Sequence, residues 1–257
     1  GRPCLDCPNC RRGQFGDCLR TRLMAFAYDG AWAEYTVSLA VGLTRVPDNV
    51  TMEQAAILAD AVSTPYGAVV RTGKVMVGES VGVWGVGGVG SHIVQLARMV
   101  GAAPIIALDV NPVARDRALE LGADYALDSR DPDVKAHIER ITGGMRLDVA
   151  FDAVGLKTTF EQALDCLTVG GRLVAVGMSA ECPTIGMTSL FGFTQKQVLG
   201  HLGYQNVDIG TLATLVSLGR LDLSRSISRI IPLEDIHAGI EMLERGEGNP
   251  IRILVQP

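Results

Sequence analysis

VGVWGVGGVGSHIVQLA, residues 81–97, decides the fold. Four apolar residues, Val81 to Trp84, read as a short strand buried on both faces, and SHIVQLA carries on as a helix. Between them stand Gly85, Gly87 and Gly90, spaced as G-x-G-x-x-G. The first glycine permits the tight turn, the second lets a diphosphate approach the backbone, and the third allows the helix to pack closely on the sheet. Gly88 and Val89 complete the turn, where a helix start presents free N–H groups and a partial positive charge to an anion.

Working outward, PIIALDV (104–110) is the next strand, and Asp109 ends it 19 residues past Gly90. A carboxylate there accepts both ribose hydroxyls of an adenosine and repels a 2′-phosphate, so NAD is expected over NADP; Arg115 and Arg117 nearby weigh the other way. Strand and helix patterns then alternate through NPVARDRALELGA, YALD, DVKAHIERITGG, LDVAFDAVG, TTFEQALDCLTVGG, RLVAVGM and QKQVLGHLGY. Such alternation predicts an α/β fold, a Rossmann doubly wound parallel sheet covered on both faces. DIGTLATLVSLGRL reads as a further helix, and the end reads as strand (SISRII), helix (PLEDIHAGIEMLERG) and strand (IRILVQP). Before the sheet, YDGAWAEYTVSL suggests short β-type runs within 24–47, and Thr51 with Gln54 suggests a capping box opening a helix.

The composition suits this reading. The 257 residues are 47% hydrophobic with only 5% aromatic, so Val, Ala, Leu and Ile carry the core. A net charge of −5 argues against nucleic acid or an anionic membrane as partner, and no apolar run reaches a membrane span's length. The chain opens GRPC, without an initiating Met or a signal pattern, and the expected location is cytoplasmic.

In that reducing compartment clustered thiols usually mean metal. Cys4, Cys7, Cys10 and Cys18 are spaced C-x2-C-x2-C-x7-C. Four thiolates saturate a tetrahedral zinc and leave no open position, which makes the site structural. Gly13 and Gly16 supply flexibility to the return loop. A disulfide pair, an iron–sulfur cluster or a zinc module for nucleic acid would use the same residues, the last because Arg2, Arg11, Arg12, Arg20 and Arg22 make the stretch basic. Cys166 and Cys182 read as small hydrophobes.

Taken together, the cysteine lobe, DGAWAEY, and ADAVSTPYGAV followed by GVWGVGGVG resemble the zinc-dependent alcohol dehydrogenases of the medium-chain dehydrogenase/reductase family. The resemblance runs through the terminal IRILVQP and implies a division into 1–62, part of a GroES-like, mostly-β catalytic domain with the zinc lobe; 63–205, the NAD-binding domain; and 206–257, a segment returning to the catalytic domain. It makes Cys4, Cys7, Cys10 and Cys18 structural-zinc ligands and places Asp60 at the position of a catalytic-zinc ligand. Thr64 then packs by the nicotinamide, Val176 and Gly177 meet the carboxamide, and Arg252 reaches the pyrophosphate. It also implies a homodimer or homotetramer paired through the sheet edge near 197–204. His92, His137, His201 and His237 match no catalytic position.

In this family a Cys and a His-Glu pair that complete the catalytic zinc site come from a segment before the lobe, roughly 90 residues by that comparison, and no such residues precede Cys4 here. The expectation is therefore NAD-linked oxidation of a small alcohol to an aldehyde or ketone, impaired in this chain because Asp60 alone cannot hold a metal that needs about three protein ligands. The alternatives are a non-catalytic dinucleotide-binding protein and a zinc-free NAD(P)H-dependent reductase of the same superfamily, though such reductases generally lack both the cysteine lobe and Asp60.

Overall fold

A computed structural model describes residues 1–246 and 248–257. The helices in chain order are α1 (Pro8–Arg11), α2 (Met52–Ile57), α3 (Ser63–Tyr66), α4 (Gly90–Val100), α5 (Pro112–Glu120), α6 (Val134–Ile141), α7 (Lys157–Asp165), α8 (Thr188–Thr194), α9 (Asn206–Ser217) and α10 (Ile236–Arg245). The strands are β1 (Val81–Trp84), β2 (Ile105–Leu108), β3 (Tyr125–Leu127), β4 (Leu147–Asp152), β5 (Leu167–Ala175), β6 (Gln197–Gly200), β7 (Arg229–Pro232) and β8 (Ile253–Gln256). They fall into two compact units, one formed by 1–63 with 203–257 and the other by 64–202.

In the 64–202 unit all six strands run parallel in the order β3-β2-β1-β4-β5-β6. Every residue of β1 and β2 is buried, as their unbroken apolar runs require of strands covered on both faces. Trp84, Ile106, Leu108, Ile138, Leu147, Leu167 and Leu173 form the centre of one core, each contributing about 1.5–3 kcal/mol by its removal from water. The Trp84 indole nitrogen, buried with them, donates to Gln162 Oε1 at 2.7 Å. A strap closes the base of the sheet: the Arg172 guanidinium meets both Glu79 carboxyl oxygens, at 2.9 and 2.6 Å, with each side chain about one-sixth exposed.

The direction of the strand order reverses between β1, which is followed by β2, and β4. In such sheets the crevice outside the carboxyl ends of the strands at that point receives the ligand. The residues that matter therefore stand at the ends of β1, β2, β4 and β5.

The other unit is built differently. Its one strand pair is β7 with β8, which run parallel, and α10 packs against them. Thr51 caps α2 with the full reciprocal pair of bonds to Gln54, as its sequence spacing predicts. The β-type runs expected within 24–47 are not formed. Only a bridge between Met24 and Tyr28 and a short helical turn at Ala40–Gly42 occur there. Alternation gives a segment a face, but a strand exists only when another strand completes its hydrogen bonds. Trp32, Tyr35 and Val37 instead lie between two-thirds and nine-tenths exposed. Helix α8 is not anticipated by the sequence reading, and the TVGG expected to end a helix belongs to β5. Among the described residues no helix is long and apolar enough to cross a membrane.

Candidate functional site

The turn between β1 and α4 has the geometry its glycines suggest. Gly85 has φ +80°, a left-handed conformation that costs a residue with a Cβ. A Cβ on Gly90 would overlap the Gly85 carbonyl oxygen, so the helix could not start where it does. A Cβ on Gly87 would meet nothing within 4 Å: the backbone there faces open space, which is what an approaching diphosphate requires. Gly87 is exposed, Gly88 and Val89 are half-buried, and α4 begins directly after them with no side chain capping its first N–H groups.

Asp109 follows β2 and is tied to that turn. One carboxyl oxygen accepts from the Val86 N–H and the other from the Asn111 N–H, both at 2.8 Å. Of the two arginines that complicated the choice of cofactor, Arg115 donates to the Asp109 carbonyl at 2.8 Å and pairs with Asp128 at 3.4 Å. Arg117 donates to the Val86 carbonyl at 3.3 Å; burial lowers its pKa, and the neighbouring Asp109 charge opposes that shift.

Across the switch point, Val176 and Gly177 follow β5, and both N–H groups donate to the Asp152 carbonyl at 2.9 Å. Thr64 is buried in α3, and its carbonyl lies 2.9 Å from His201 Nε2. A carbonyl can only accept, so Nε2 carries the proton; in the neutral ring Nδ1 then accepts from the Thr72 hydroxyl at 2.8 Å. His201 thus ties the end of β6 to Thr64, a link that sequence reasoning missed because nothing in its neighbourhood along the chain signals it. His92 is likewise a buried structural residue, bonded to Gln95 at 2.8 Å.

In the other unit the helical run after α2 breaks at Asp60. Its φ of 69° and ψ of −63° are those of the strained form of the γ-turn, at a cost of order 1–3 kcal/mol. Its N–H donates to Ser63 Oγ at 2.8 Å, and its side chain is exposed. Two groups feel its charge. Burial lowers the Arg252 pKa while Asp60 opposes the shift, and burial together with Asp60 raises that of the Tyr204 phenol. Arg252 itself donates to the Ala61 carbonyl at 3.4 Å.

The four cysteines of the lobe converge, with all their sulfurs within 4.8 Å of one another. Cys4 Sγ and Cys10 Sγ lie 3.9 Å apart, close to the spacing of two thiolates on one tetrahedral ion with bonds of about 2.3 Å. Backbone N–H groups of Cys4, Cys7 and Arg20 point at sulfurs from 3.2 to 3.4 Å, as they would at thiolates. Such bonds from the Asp6 and Cys7 N–H groups hold Cys4 down to about 6, whereas burial pushes Cys10 up to about 12. The donor set fits a closed metal site. Gly13 sits at φ +76°, as a turn needs, but Gly16 serves close approach: a Cβ there would collide with the Tyr204 carbonyl. Arg11 and Arg20 both pair with Asp6, at 2.9 and 2.7 Å, and Arg2 stacks on Tyr28. Much of the lobe's basic charge is thus spent internally.

The family model described as zinc-binding dehydrogenase matches residues 88–218, about half of the chain. An alcohol dehydrogenase of Cupriavidus necator is 29% identical over 233 residues, covering 89% of this chain and 63% of its own length. This chain therefore spans less than two-thirds of that relative. Among solved structures, the alcohol dehydrogenase TADH from Thermus sp. ATN1 superposes with a TM-score of 0.90 at 29% identity, over 99% of this chain and 75% of its own. An NAD-dependent alcohol dehydrogenase also gives 0.90, at 26% identity, over 100% of this chain and 74% of its own.

Proposed function

This chain belongs to the zinc-binding dehydrogenase family, an oxidoreductase family, and on that premise we propose that it binds NAD at the β1/β4 switch point and serves hydride transfer between a small alcohol and its aldehyde or ketone. The observation that carries the cofactor choice is Asp109, whose carboxyl is fixed beside the glycine turn by the Val86 and Asn111 N–H groups. A carboxylate held there accepts from ribose hydroxyls and repels a 2′-phosphate. Arg115 is already engaged by Asp128 and leaves little charge to offset that repulsion.

In this assignment the pyrophosphate lies on Gly85, Gly87, Gly88, Val89 and Gly90, with Arg252 reaching toward it. The nicotinamide lies by Thr64, Val176 and Gly177. Zinc in the lobe of Cys4, Cys7, Cys10 and Cys18 braces the fold and performs no chemistry, since four thiolates leave no place for substrate. The lobe argues against the zinc-free reductase reading.

Asp60 is the one residue of this sequence matched to a catalytic-metal ligand, and such a metal needs about three from protein. On its own residues the chain therefore binds dinucleotide without fast turnover, the point at which the reading as a non-catalytic binder meets this one. The half-exposed edge at β6 is the surface for a homodimer or homotetramer. The division at 1–62, 63–205 and 206–257 and a cytoplasmic setting complete the proposal.

Titrating the purified chain with NADH and NADPH tests the cofactor reading. NADH should bind at least about tenfold more tightly, a difference of about 1.4 kcal/mol, and Asp109→Ala should abolish the preference. Equal affinities in the unaltered chain would reject it.

A further inference from the structure

Asp152, the last residue of β4, is 1% exposed and stands at the carboxyl end of the strand beside the switch point. Its side chain does not reach solvent. Oδ1 accepts from the Val154 N–H and the Gly155 N–H, each at 3.1 Å. The Thr159 hydroxyl in the first turn of α7 lies 3.0 Å from the same oxygen and 3.0 Å from the Leu156 carbonyl, and with one proton it serves one of them at a time. The Asp152 carbonyl meanwhile takes both N–H groups from the end of β5, those of Val176 and Gly177.

The loop fixed in this way, 153–155, is wedged between the two parts of the cradle. On one side Val154 Cγ2 fills the place a Cβ on Gly85 would occupy. On the other, a Cβ on Gly177 would overlap the Gly155 nitrogen, and a Cβ on Gly155 would lie 2.6 Å from the Gly177 carbonyl carbon. Backbone rests directly on backbone, so any shift of the loop moves the end of β5 with it. The adenosine end is fixed elsewhere, by Asp109 on the β2 side of β1, and a dinucleotide lying across the switch point puts its other half on the β4–β5 side.

We propose that Asp152 is a positioning residue for the nicotinamide half of the cofactor, acting through the 153–155 loop on Val176 and Gly177 while leaving the adenosine half untouched. This rests on the dinucleotide reading above, and the test separates the two. The full chain and its Asp152→Ala, Asp152→Asn and Thr159→Val variants are titrated by calorimetry with NADH and, separately, with ADP-ribose, which lacks the nicotinamide. Asp152→Ala should weaken NADH about tenfold or more, the scale of losing acceptors for buried donors. ADP-ribose should keep its affinity within about threefold, which is under 0.7 kcal/mol. Asp152→Asn, which retains an oxygen in the acceptor position, should recover most of the NADH loss. A purely structural role would weaken both ligands together, and that result, or unchanged NADH binding, overturns the proposal. If Asp152→Ala does not fold, Thr159→Val decides: a loss confined to NADH supports the assignment, and equal loss or none overturns it. An unaltered chain that binds neither ligand brings down the dinucleotide reading, and this inference with it.

Discussion

In the lobe around Cys4–Cys18, order comes from four thiols and the backbone N–H groups aimed at them; its buried apolar residues are the cysteines themselves, with Phe15 packed alongside. In the parallel sheet, order comes from fully buried Val, Ile, Leu and Trp side chains drawn from five strands and the helices over them. A lobe this small cannot bury enough surface to offset its chain entropy, so it needs a cross-linking ion. The sheet has area enough to stand without one. Metal dependence should therefore be local, and the nucleotide cradle should belong to the part that does not need it.

The sharpest way to break that contrast is Cys10→Ser. Losing one of four thiolates should remove metal binding worth on the order of 10 kcal/mol and leave the lobe disordered. Metal content should fall to zero and amide protection should vanish over residues 2–22, with the sheet's protection unchanged. Protection that survives in the lobe after substitution or chelation would mean that the thiols are not what holds it.

Arg172→Met probes the other side. It strands Glu79 at the base of the sheet, and breaking a pair this buried costs about 3–5 kcal/mol, read as a lower melting temperature for the 64–202 unit. Burial tends to raise the Glu79 pKa, but the Arg172 guanidinium outweighs it and holds the carboxyl below its ordinary value. The pair's contribution is therefore complete above the ordinary glutamate range and is lost as pH falls through the depressed value. Unaltered protein should lose it below about pH 4, whereas the variant should show a flatter acid limb. Equal acid sensitivity in both would remove the strap from the sheet's account.

A smaller effect is expected at the start of α2. Thr51→Ala deletes one half of the capping box and should cost about 1 kcal/mol in urea unfolding. The loss should appear in the 1–63 and 203–257 unit and not in the sheet. A change spread evenly over both would show that the two regions unfold together.

The parts of the site lying close together in the chain were open to reading from the residues. Gly85 to Gly90 act through local backbone geometry, and Cys4 to Cys18 converge because two-residue gaps turn sulfurs to one side. Asp109 was found by its distance from the turn, yet its bond to Val86 spans strands. His201 and Asp152 were invisible as site residues. One is a lone histidine and the other a lone aspartate, and each gains its part only from strands and helices far away in sequence. The runs within 24–47 show the reverse error, since a pattern suited to strands met no partner.

By itself, then, the sequence determined the strand–helix alternation, the glycine turn and the thiol cluster, because periodicity and short spacing act within a few residues of the chain. The tertiary structure alone decided that β4 lies beside β1, that the end of β5 leans on the 153–155 loop, and that Asp60 occupies a strained turn. Those outcomes depend on which elements pack together, and packing is a balance over the whole core that no short stretch of residues encodes.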